Sequence, residues 1–241
     1  MLERRSDRIQ FALIAAMSLA GLWVLLRLPP GVLVPIHFDA SGTPNGWAEP
    51  AMGVFLMPAL AAMLWGLQAL LPKIDPRGSN LVRSAGAVGT IFTALAVLLT
   101  VLQGFIVAAS FGVLSPKSSL GLVLAGGLFM VIGNLMGKLR TNYTVGIRTP
   151  WTLADERVWD QTRRFGGRTF VLGGALLCVL AALPLDLSWQ GPAIVVVAML
   201  SSGAVTLKSY LLWRAMEKSN LAEFNGDSPL WLNNFSRLGD L

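Results

Sequence analysis

The sequence is poor in charge and in the residue types from which most soluble active sites are built. Asp, Glu, Lys and Arg make up 13% of the 241 residues, whereas 54% are hydrophobic. A soluble domain usually carries about a quarter of charged residues. Cysteine and histidine occur once each, as Cys178 and His37. An intrachain disulfide and a Cys-rich metal site are therefore excluded, and we expect no metal and no other cofactor.

The basic residues are dispersed, which argues against a nucleic-acid-binding protein. The formal net charge is +6, but Lys and Arg flank apolar segments. They form neither a single stripe nor a patch interleaved with aromatic residues. We therefore predict no direct contact with nucleic acid and interpret the positive charges as signals of membrane topology.

Long uncharged stretches account for most of the chain. Six of them reach or approach the roughly 20 residues that a helix needs to cross about 30 Å of hydrocarbon. The sequence therefore predicts an all-α polytopic membrane protein, a bundle of six transmembrane helices. The predicted spans are residues 9–27, 51–72, 86–112, 118–137, 169–186 and 190–210. The other predicted parts are the single membrane domain 1–213, an outward cap 28–50, a cytoplasmic loop 138–168 and an interfacial tail 214–241.

Lys and Arg assign the two sides of the membrane, because cytoplasmic loops retain positive charge during insertion. The N-terminus, the second loop, the fourth loop and the tail are basic, whereas the other loops hold only Arg27 and Lys117. Both termini and the loop 138–168 are therefore predicted to be cytoplasmic. A cleaved signal peptide is the competing interpretation of the N-terminus. The apolar run is long for a signal peptide, however, and no A-x-A site precedes Arg27.

The predicted cap, Leu28–Pro50, is rich in proline and glycine, which exclude a long helix and predict a chain of defined turns. His37 and Asp39 lie within it. A histidine titrates near neutral pH and binds transition metals, so this pair is a candidate pH sensor, metal site or ligand contact. One histidine and one carboxylate do not by themselves make a site. The simpler interpretation is a hydrogen-bonded structural histidine.

The predicted cytoplasmic loop carries signals for a turn followed by a helix. Asn142–Gly146 predicts the turn, Pro150 suits a helix start, and Thr152–Asp155 resembles a capping box. We expect a short interfacial helix from about Leu153 to Phe165. One strip of this segment is expected to rest on the membrane or on other helices: Trp151, Val158, Trp159, Thr162 and Phe165.

Three acids follow Trp151 and invite a catalytic interpretation: Asp155, Glu156 and Asp160. Paired acids act in general acid–base catalysis. No nucleophile, histidine partner or glycine-rich phosphate loop accompanies them, and acids near a helix N-terminus ordinarily complement the helix dipole. We therefore expect a structural role for them.

Few polar side chains lie within the predicted spans. Gln103, Asn134, Ser201 and Ser202 are candidates for a buried polar cluster. Such a cluster either lines a substrate path or forms interhelical hydrogen bonds of about 0.6–2 kcal/mol each. The fourth span also carries small residues that allow close packing against a neighbouring helix: Gly126, Gly127, Gly133 and Gly137.

Two motifs resemble the SdpI family of bacterial membrane immunity and signalling proteins. The first, in the cap, comprises Leu28-Pro29, Val34–Asp39, Gly42 and Pro44–Trp47. The second comprises Gly133-Asn134, Asn142-Tyr143, Gly146–Leu153, Asp155-Glu156, Val158-Trp159 and Thr162. The chain departs from the family pattern at Thr141, where proline is usual, and at Arg163, where histidine is usual.

The resemblance implies a multi-span protein of the bacterial inner membrane that protects the producing cell from a secreted membrane-active peptide toxin. In the best-known system of the family it also holds a transcriptional repressor at the membrane. The candidate ligand-binding or functional residues are Pro35, His37, Phe38, Asp39, Gly42, Asn134, Asn142, Gly146, Arg148, Thr149, Pro150, Trp151, Asp155, Trp159 and Thr162.

Three hypotheses of function follow. The leading one is a non-enzymatic binding and signalling protein whose cap meets a peptide toxin or membrane lipids and whose basic loop reports to a repressor. The second is a small-molecule or lipid transporter built around Gln103, Asn134 and Ser201. The third is a membrane enzyme that acts at the level of the lipid headgroups through His37 and Asp39, or through the acids after Trp151.

Overall fold

The computed structural model describes residues 2–39, 43–113, 119–184 and 186–224. These residues form eight α-helices, a two-stranded sheet and a 3-10 turn, Leu187–Trp189. The elements run in the order α1 Leu2–Leu25, β1 Val34–Phe38, β2 Pro44–Ala48, α2 Pro50–Ile74, α3 Gly78–Arg83, α4 Ala85–Ser110, α5 Leu120–Met136, α6 Pro150–Ala154, α7 Glu156–Ala182 and α8 Gln190–Phe224.

The helices are those of a multi-pass membrane protein, as predicted. Within the described residues, α1, α2, α4, α7 and α8 are long and apolar enough to cross a bilayer. Helix α5 is apolar but has 17 residues, which corresponds to a length of about 26 Å. Large apolar side chains are exposed on all of these helices, as expected where lipid and not water covers the surface.

The helices form two bundles of three. Helices α1, α2 and α4 pack against one another, as do α5, α7 and α8, and the bundles meet where α4 packs on α5. We call this contact the seam. Side chains from both bundles form its apolar core: Leu71, Leu81, Ala87, Val88, Ile91, Phe92, Leu135 and Leu139.

Glycine pairs bring α5 and α7 into backbone contact. A Cβ atom on Gly126 would lie 2.6 Å from the carbonyl oxygen of Gly174, and one on Gly133 would lie 2.7 Å from that of Gly167. Moving seven residues forward on α5 means moving seven residues back on α7, so the helices are antiparallel. The predicted close packing of the fourth span is present, but Gly127 and Gly137 take no part in it.

The opposite face of α7 packs against α8 and the loop that follows α5. A Cβ atom on Gly173 would lie 3.0 Å from Ser201 Oγ and 3.0 Å from a methyl group of Val197. One on Gly166 would lie 2.5 Å from Ile147 Cδ1. Adjacent glycines thus allow α7 to be enclosed on two sides.

The described residues of the predicted cap contain no long helix, as expected, but they form a β-hairpin across the ends of α1, α2 and α4 and not a chain of turns. Val34 pairs with Ala48 and Pro35 with Trp47 in antiparallel register. Each strand of a two-stranded ribbon is an edge strand, where proline is tolerated. Val34 is fully buried, and a Cβ atom on Gly53 of α2 would lie 2.6 Å from it.

The predicted interfacial helix and fifth span are one helix, which corrects the prediction of two elements. Helix α7 begins at Glu156 and continues through the arginine-rich segment 163–168. Arginine is a good helix former, so these charges set a depth in the membrane without ending the helix. Helix α8 likewise continues beyond the predicted boundary at 214 to Phe224. The remainder of the predicted tail lies outside the described residues.

Replacing Gly133 with alanine tests the α5–α7 contact. The added methyl group meets the backbone of Gly167 and Val171, and we expect a loss of about 1–3 kcal/mol, as for other overpacked cores. Gly127→Ala is the matched control on the same helix, because no atom lies within 4 Å of its added Cβ. Thermal unfolding of the detergent-purified protein would show a lower midpoint for Gly133→Ala alone. Equal midpoints would contradict the packing.

Candidate functional site

The hairpin brings His37 and Asn45 together. His37 Nδ1 and Asn45 Oδ1 lie 2.5 Å apart, with the imidazole exposed. Asp39 Oδ1 accepts a hydrogen bond from the Thr43 backbone N–H at 2.9 Å, and the Asp39 N–H donates to the Thr43 carbonyl. Phe38 pairs with Pro44. His37 and Asp39 thus both form hydrogen bonds between the two sides of the hairpin.

The other candidate residues of the first motif are Pro35, which is buried in β1, and Gly42, which lies outside the described residues. Within the described part of the chain, no group of three or more His, Cys, Asp or Glu side chains is placed to hold a metal ion.

At the opposite end of the bundles, Asn142 organises the loop between α5 and α6. Its side chain is fully buried. The amide nitrogen donates to the carbonyl oxygens of Arg140 (2.8 Å) and Val145 (2.9 Å). The amide oxygen accepts from the N–H groups of Thr144 (2.9 Å) and Val145 (2.6 Å). A side-chain amide can donate to both carbonyls and accept from both N–H groups, so asparagine satisfies all four backbone groups.

Asp75, a residue that the sequence analysis did not select, anchors this loop to the other bundle. It follows α2 and is 6% exposed. Its Oδ2 atom accepts from Tyr143 N at 2.9 Å and from Thr144 Oγ1 at 2.8 Å, while Oδ1 accepts from Arg77 N at 2.7 Å. The available signal was the sequence Asp75-Pro76 directly after an apolar span, where the aspartate reads as an ordinary turn residue.

Further hydrogen bonds cross from the α2–α4 connection to the same loop. Asn80 Nδ2 donates to the Thr141 carbonyl at 2.8 Å, and Ser84 Oγ accepts from Arg140 N at 2.9 Å. The guanidinium of Arg77 lies 5.3 Å from the centre of the Tyr143 ring, a cation–π distance. Thr141 contributes only its carbonyl oxygen to the Asn80 bond. The proline that is usual in the family pattern would keep that acceptor.

A capping box starts the short helix α6, three residues before the predicted one. Thr149 N donates to Thr152 Oγ1 at 3.0 Å, and Thr152 N donates to Thr149 Oγ1 at 3.3 Å. Pro150 occupies the first turn, where its missing N–H is not needed. The two hydroxyls of Thr149 and Ser209 lie 3.1 Å apart, so the box also joins α8.

Asp155 lies between α6 and α7: its backbone N–H donates to the Trp151 carbonyl at the end of α6, and its side chain caps the start of α7. Its Oδ1 atom accepts from Arg157 N at 2.7 Å, and its Oδ2 atom lies 2.9 Å from Arg157 Nη2. The hydrogen bond from the Arg157 side chain lowers the pKa of Asp155 below its ordinary 3.8. The carboxylate therefore stays ionised at neutral pH, and its contribution to stability disappears only as the pH falls below 3.8 towards the folded-state pKa.

Aromatic residues close the loop on both sides. Trp159 is 2% exposed, and its indole N–H donates to the Leu139 carbonyl at 3.2 Å. Gly146 has a φ of 117°, which favours glycine, and a Cβ atom there would lie 3.4 Å from the Trp159 ring. On the far side, the rings of Trp151 and Tyr210 meet edge to face at 5.2 Å.

Three further polar residues lie in the loop or on α7 beside it. Arg148 is exposed, and one of its guanidinium N–H groups donates to the Tyr143 carbonyl at 2.8 Å. Arg163 pairs with Asp160 at 2.8 Å and also reaches the Gly137 carbonyl at the end of α5. Thr162 is fully buried, and its hydroxyl has no hydrogen-bond partner within the described residues.

The structure does not assemble the polar cluster predicted inside the membrane. Gln103 donates to the Val54 carbonyl at 3.0 Å within the first bundle. Ser201 packs against Gly173 in the second bundle, and Asn134 is exposed. A substrate path through these three residues therefore has no support.

A polar cluster that the sequence analysis missed does occur in the first bundle. The Gln10 amide is 1% exposed and donates to Gln68 Oε1 at 3.0 Å and to Thr93 Oγ1 at 3.1 Å. Gln68 in turn donates to Asp7 at 3.2 Å. This cluster joins α1, α2 and α4 near the end of the bundle that carries the loop.

The isosteric change Asn142→Asp tests the loop. The amide nitrogen that donates to two carbonyl oxygens becomes a carboxylate oxygen, which those carbonyl oxygens repel. We therefore expect roughly 1–3 kcal/mol of destabilisation. We also expect faster trypsin cleavage at Arg140 and Arg148. Asn220→Asp on exposed α8 is the matched control. Cleavage of the detergent-purified protein is followed by intact-mass spectrometry. An unchanged cleavage rate at both arginines would refute the role of Asn142.

Comparison with known proteins assigns each motif to a family model. The SdpI/YfhL protein family matches residues 138–209, which contain the loop, α7 and most of α8. Domain of unknown function DUF1648 matches residues 12–62, which contain the hairpin. "Immunity protein SdpI" of Bacillus subtilis (strain 168) is 42% identical over 59 residues, which are 24% of this chain and 28% of that protein. No solved structure matches. Residues 138–209 thus match the SdpI/YfhL protein family, and the predicted resemblance to the SdpI family is confirmed.

Proposed function

We propose that this protein confers immunity to a membrane-active peptide toxin and signals the presence of the toxin across the bacterial inner membrane. One observation carries the proposal: the SdpI-family segment folds into a hydrogen-bonded loop that ties the two bundles together through Asp75. The similar protein of Bacillus subtilis is named an immunity protein, which supports the immunity part of the proposal. The match covers a minor part of each chain, so the activity is inferred for this protein.

We propose six crossings, with the hairpin outside and the loop in the cytoplasm. Helix α5 runs antiparallel to α7, and its roughly 26 Å nearly span the hydrocarbon. The connection between α2 and α4 meets the loop between α5 and α6 at one end of the bundles. Both segments are basic, so the positive-inside rule favours the cytoplasm for that end and for both termini.

Helix α2 is the proposed connection between the two faces. Val34 of the hairpin is buried against Gly53 near its start, and Asp75 follows its last residue. A toxin that binds the hairpin more tightly when α2 is in one position would shift α2 towards that position. This shift would change the populations of loop conformations at Tyr143 and Thr144. The coupling requires only that ligand and loop favour different positions of the same helix.

The exposed side of the loop is the proposed contact for a transcriptional repressor. Arg148 is exposed, and Trp151 packs against Tyr210 and Trp213 of α8. A cavity of about 310 Å³ follows along α8, between Ala154 and Leu221. Arginine and tryptophan are the residue types most often found at binding hot spots.

Asp75→Ala tests immunity and the seam together. In a toxin-sensitive bacterial strain, we expect the wild-type protein to raise the concentration of at least one membrane-active peptide needed to stop growth. We expect Asp75→Ala to abolish this effect, because Tyr143 N and the Thr144 hydroxyl lose a buried acceptor at about 1–3 kcal/mol each. Immunoblots of the membrane fraction report insertion.

Asp160→Ala is the matched control, since this exposed carboxylate pairs with Arg163 on its own helix. Asp75→Asn keeps an acceptor for one donor and should retain intermediate immunity. Wild-type protein that protects against no peptide in the panel would overturn the proposed function. Full protection by Asp75→Ala would leave immunity standing and remove the seam from the mechanism.

Arg148→Gln and Trp151→Ala test the exposed side of the loop. We expect both to reduce immunity in the same growth assay while leaving membrane insertion unchanged, because neither side chain is buried within a bundle. Arg214→Gln, an exposed arginine on α8, is the control for lost charge. Wild-type immunity in both variants would exclude this surface from the output of the protein.

A further inference from the structure

The face of α5 and α7 directed away from α8 contains a groove that joins positive charge to apolar surface. Its volume is about 500 Å³, and its lining includes Gly133, Asn134, Gly137, Arg164, Arg168 and Leu172. No acidic side chain belongs to the lining. The basic part lies towards the loop end of the helices and the apolar part towards the membrane interior.

Two of the three arginines that line the groove are available to a ligand. Arg164 and Arg168 are one helical turn apart and exposed, and neither forms an ion pair within the described residues. Arg163 beside them is committed to Asp160 and Gly137. Two guanidinium groups on one turn form a suitable fork for a phosphate.

The depth of these arginines fits the headgroup level of a bilayer. The uncharged part of α7, Thr169–Ala182, rises only about 21 Å, less than the roughly 30 Å of hydrocarbon. Arg168 therefore lies at or just inside the membrane boundary, where long basic side chains extend towards the phosphates. Leu172, one turn deeper, is 70% exposed and offers apolar surface at the depth of the acyl chains.

The missing side chains of Gly133 and Gly137 make room beside the arginines. Gly133 is packed against the backbone of α7, but no atom lies within 4 Å of a Cβ atom on Gly137. Because Gly137 follows the last residue of α5 with a helical φ and ψ, it has no conformational need for glycine. The open volume at Gly137 is thus a property of the groove and not a requirement of the fold.

We propose that the groove binds one anionic phospholipid, with its phosphate on Arg164 and Arg168 and an acyl chain along Val171 and Leu172. The occupant is a lipid of the leaflet at the loop end of the bundles, because charge and apolar surface follow one another at the depths of a headgroup and its chain. This site is independent of toxin binding.

Native mass spectrometry of the detergent-purified full chain tests the site with equal concentrations of phosphatidylglycerol and phosphatidylcholine. We expect one phosphatidylglycerol to be retained in preference to phosphatidylcholine. Arg164→Gln/Arg168→Gln should weaken this retention roughly tenfold or more, since each basic residue near an anionic headgroup contributes about 1 kcal/mol. Arg214→Gln/Lys218→Gln, with the same spacing on exposed α8, is the matched control and should retain the lipid.

Gly137→Leu provides a second, independent test because it fills the groove without removing charge. It should reduce lipid retention, whereas Gly127→Leu, which also has no neighbour within 4 Å, should not. Equal retention of the two lipids, or an equal loss in both double variants, would overturn the proposal. The proposal would also be overturned if glycerol phosphate displaced the lipid completely and Gly137→Leu bound the lipid as the wild type does. The site would then hold a soluble phosphate.

Discussion

The carboxylate of Asp75 is the contact on which the arrangement of the two bundles depends. It is almost fully buried, and two of the groups that donate to it belong to the loop of the other bundle. A buried charge is stable only where hydrogen bonds replace its lost water. Asp75 therefore requires the loop, and the loop requires Asn142 to hold its N–H groups in place. The seam is consequently a polar contact at one end and an apolar one along α4 and α5.

The glycine pairs of α7 explain how the second bundle holds this loop in position. Lipid surrounds apolar side chains as well as protein does, so helices in a bilayer gain little from burying them and depend on close backbone approach. Gly167 and Gly174 provide it towards α5, while Gly166 leaves room for Ile147 of the loop. Helix α7, which Asp155 caps, therefore packs against both α5 and the loop.

The sequence was sufficient for the features that depend on local composition. Hydropathy predicted the multi-pass helical fold, and the motif residues predicted the family. What it could not reveal were contacts between segments far apart in the chain. Asp75 looked like a turn residue, and Gln10 lay next to charges at the start of α1. Hydropathy also divided α7 at Arg168, because it measures where a helix meets lipid and not where the helix begins.

The strands of the cap were not predicted, for a related reason. Proline was taken as evidence for turns, yet Pro35 lies in a strand that needs few backbone donors. Nor did the candidate residues fall into one group: Asn142, Gly146, Thr149 and Trp159 organise the loop, whereas Asn134 lies in the lipid-facing groove. These residues are close together in the sequence and were therefore assigned to one motif. Because α7 runs antiparallel to α5, only some of them are in contact in the structure.

The bond between Asp75 and Thr144 also sets an order of events during synthesis. The two residues are 69 positions apart, which a ribosome covers in roughly 3 to 14 seconds at about 5–20 residues per second. The first three long helices are complete before the partner of Asp75 leaves the ribosome. During that interval this carboxylate must remain hydrated at the bilayer surface. The helices of the first bundle are thus synthesised before the loop that binds Asp75. The contact between the two bundles forms only after residues 138–209 have been made.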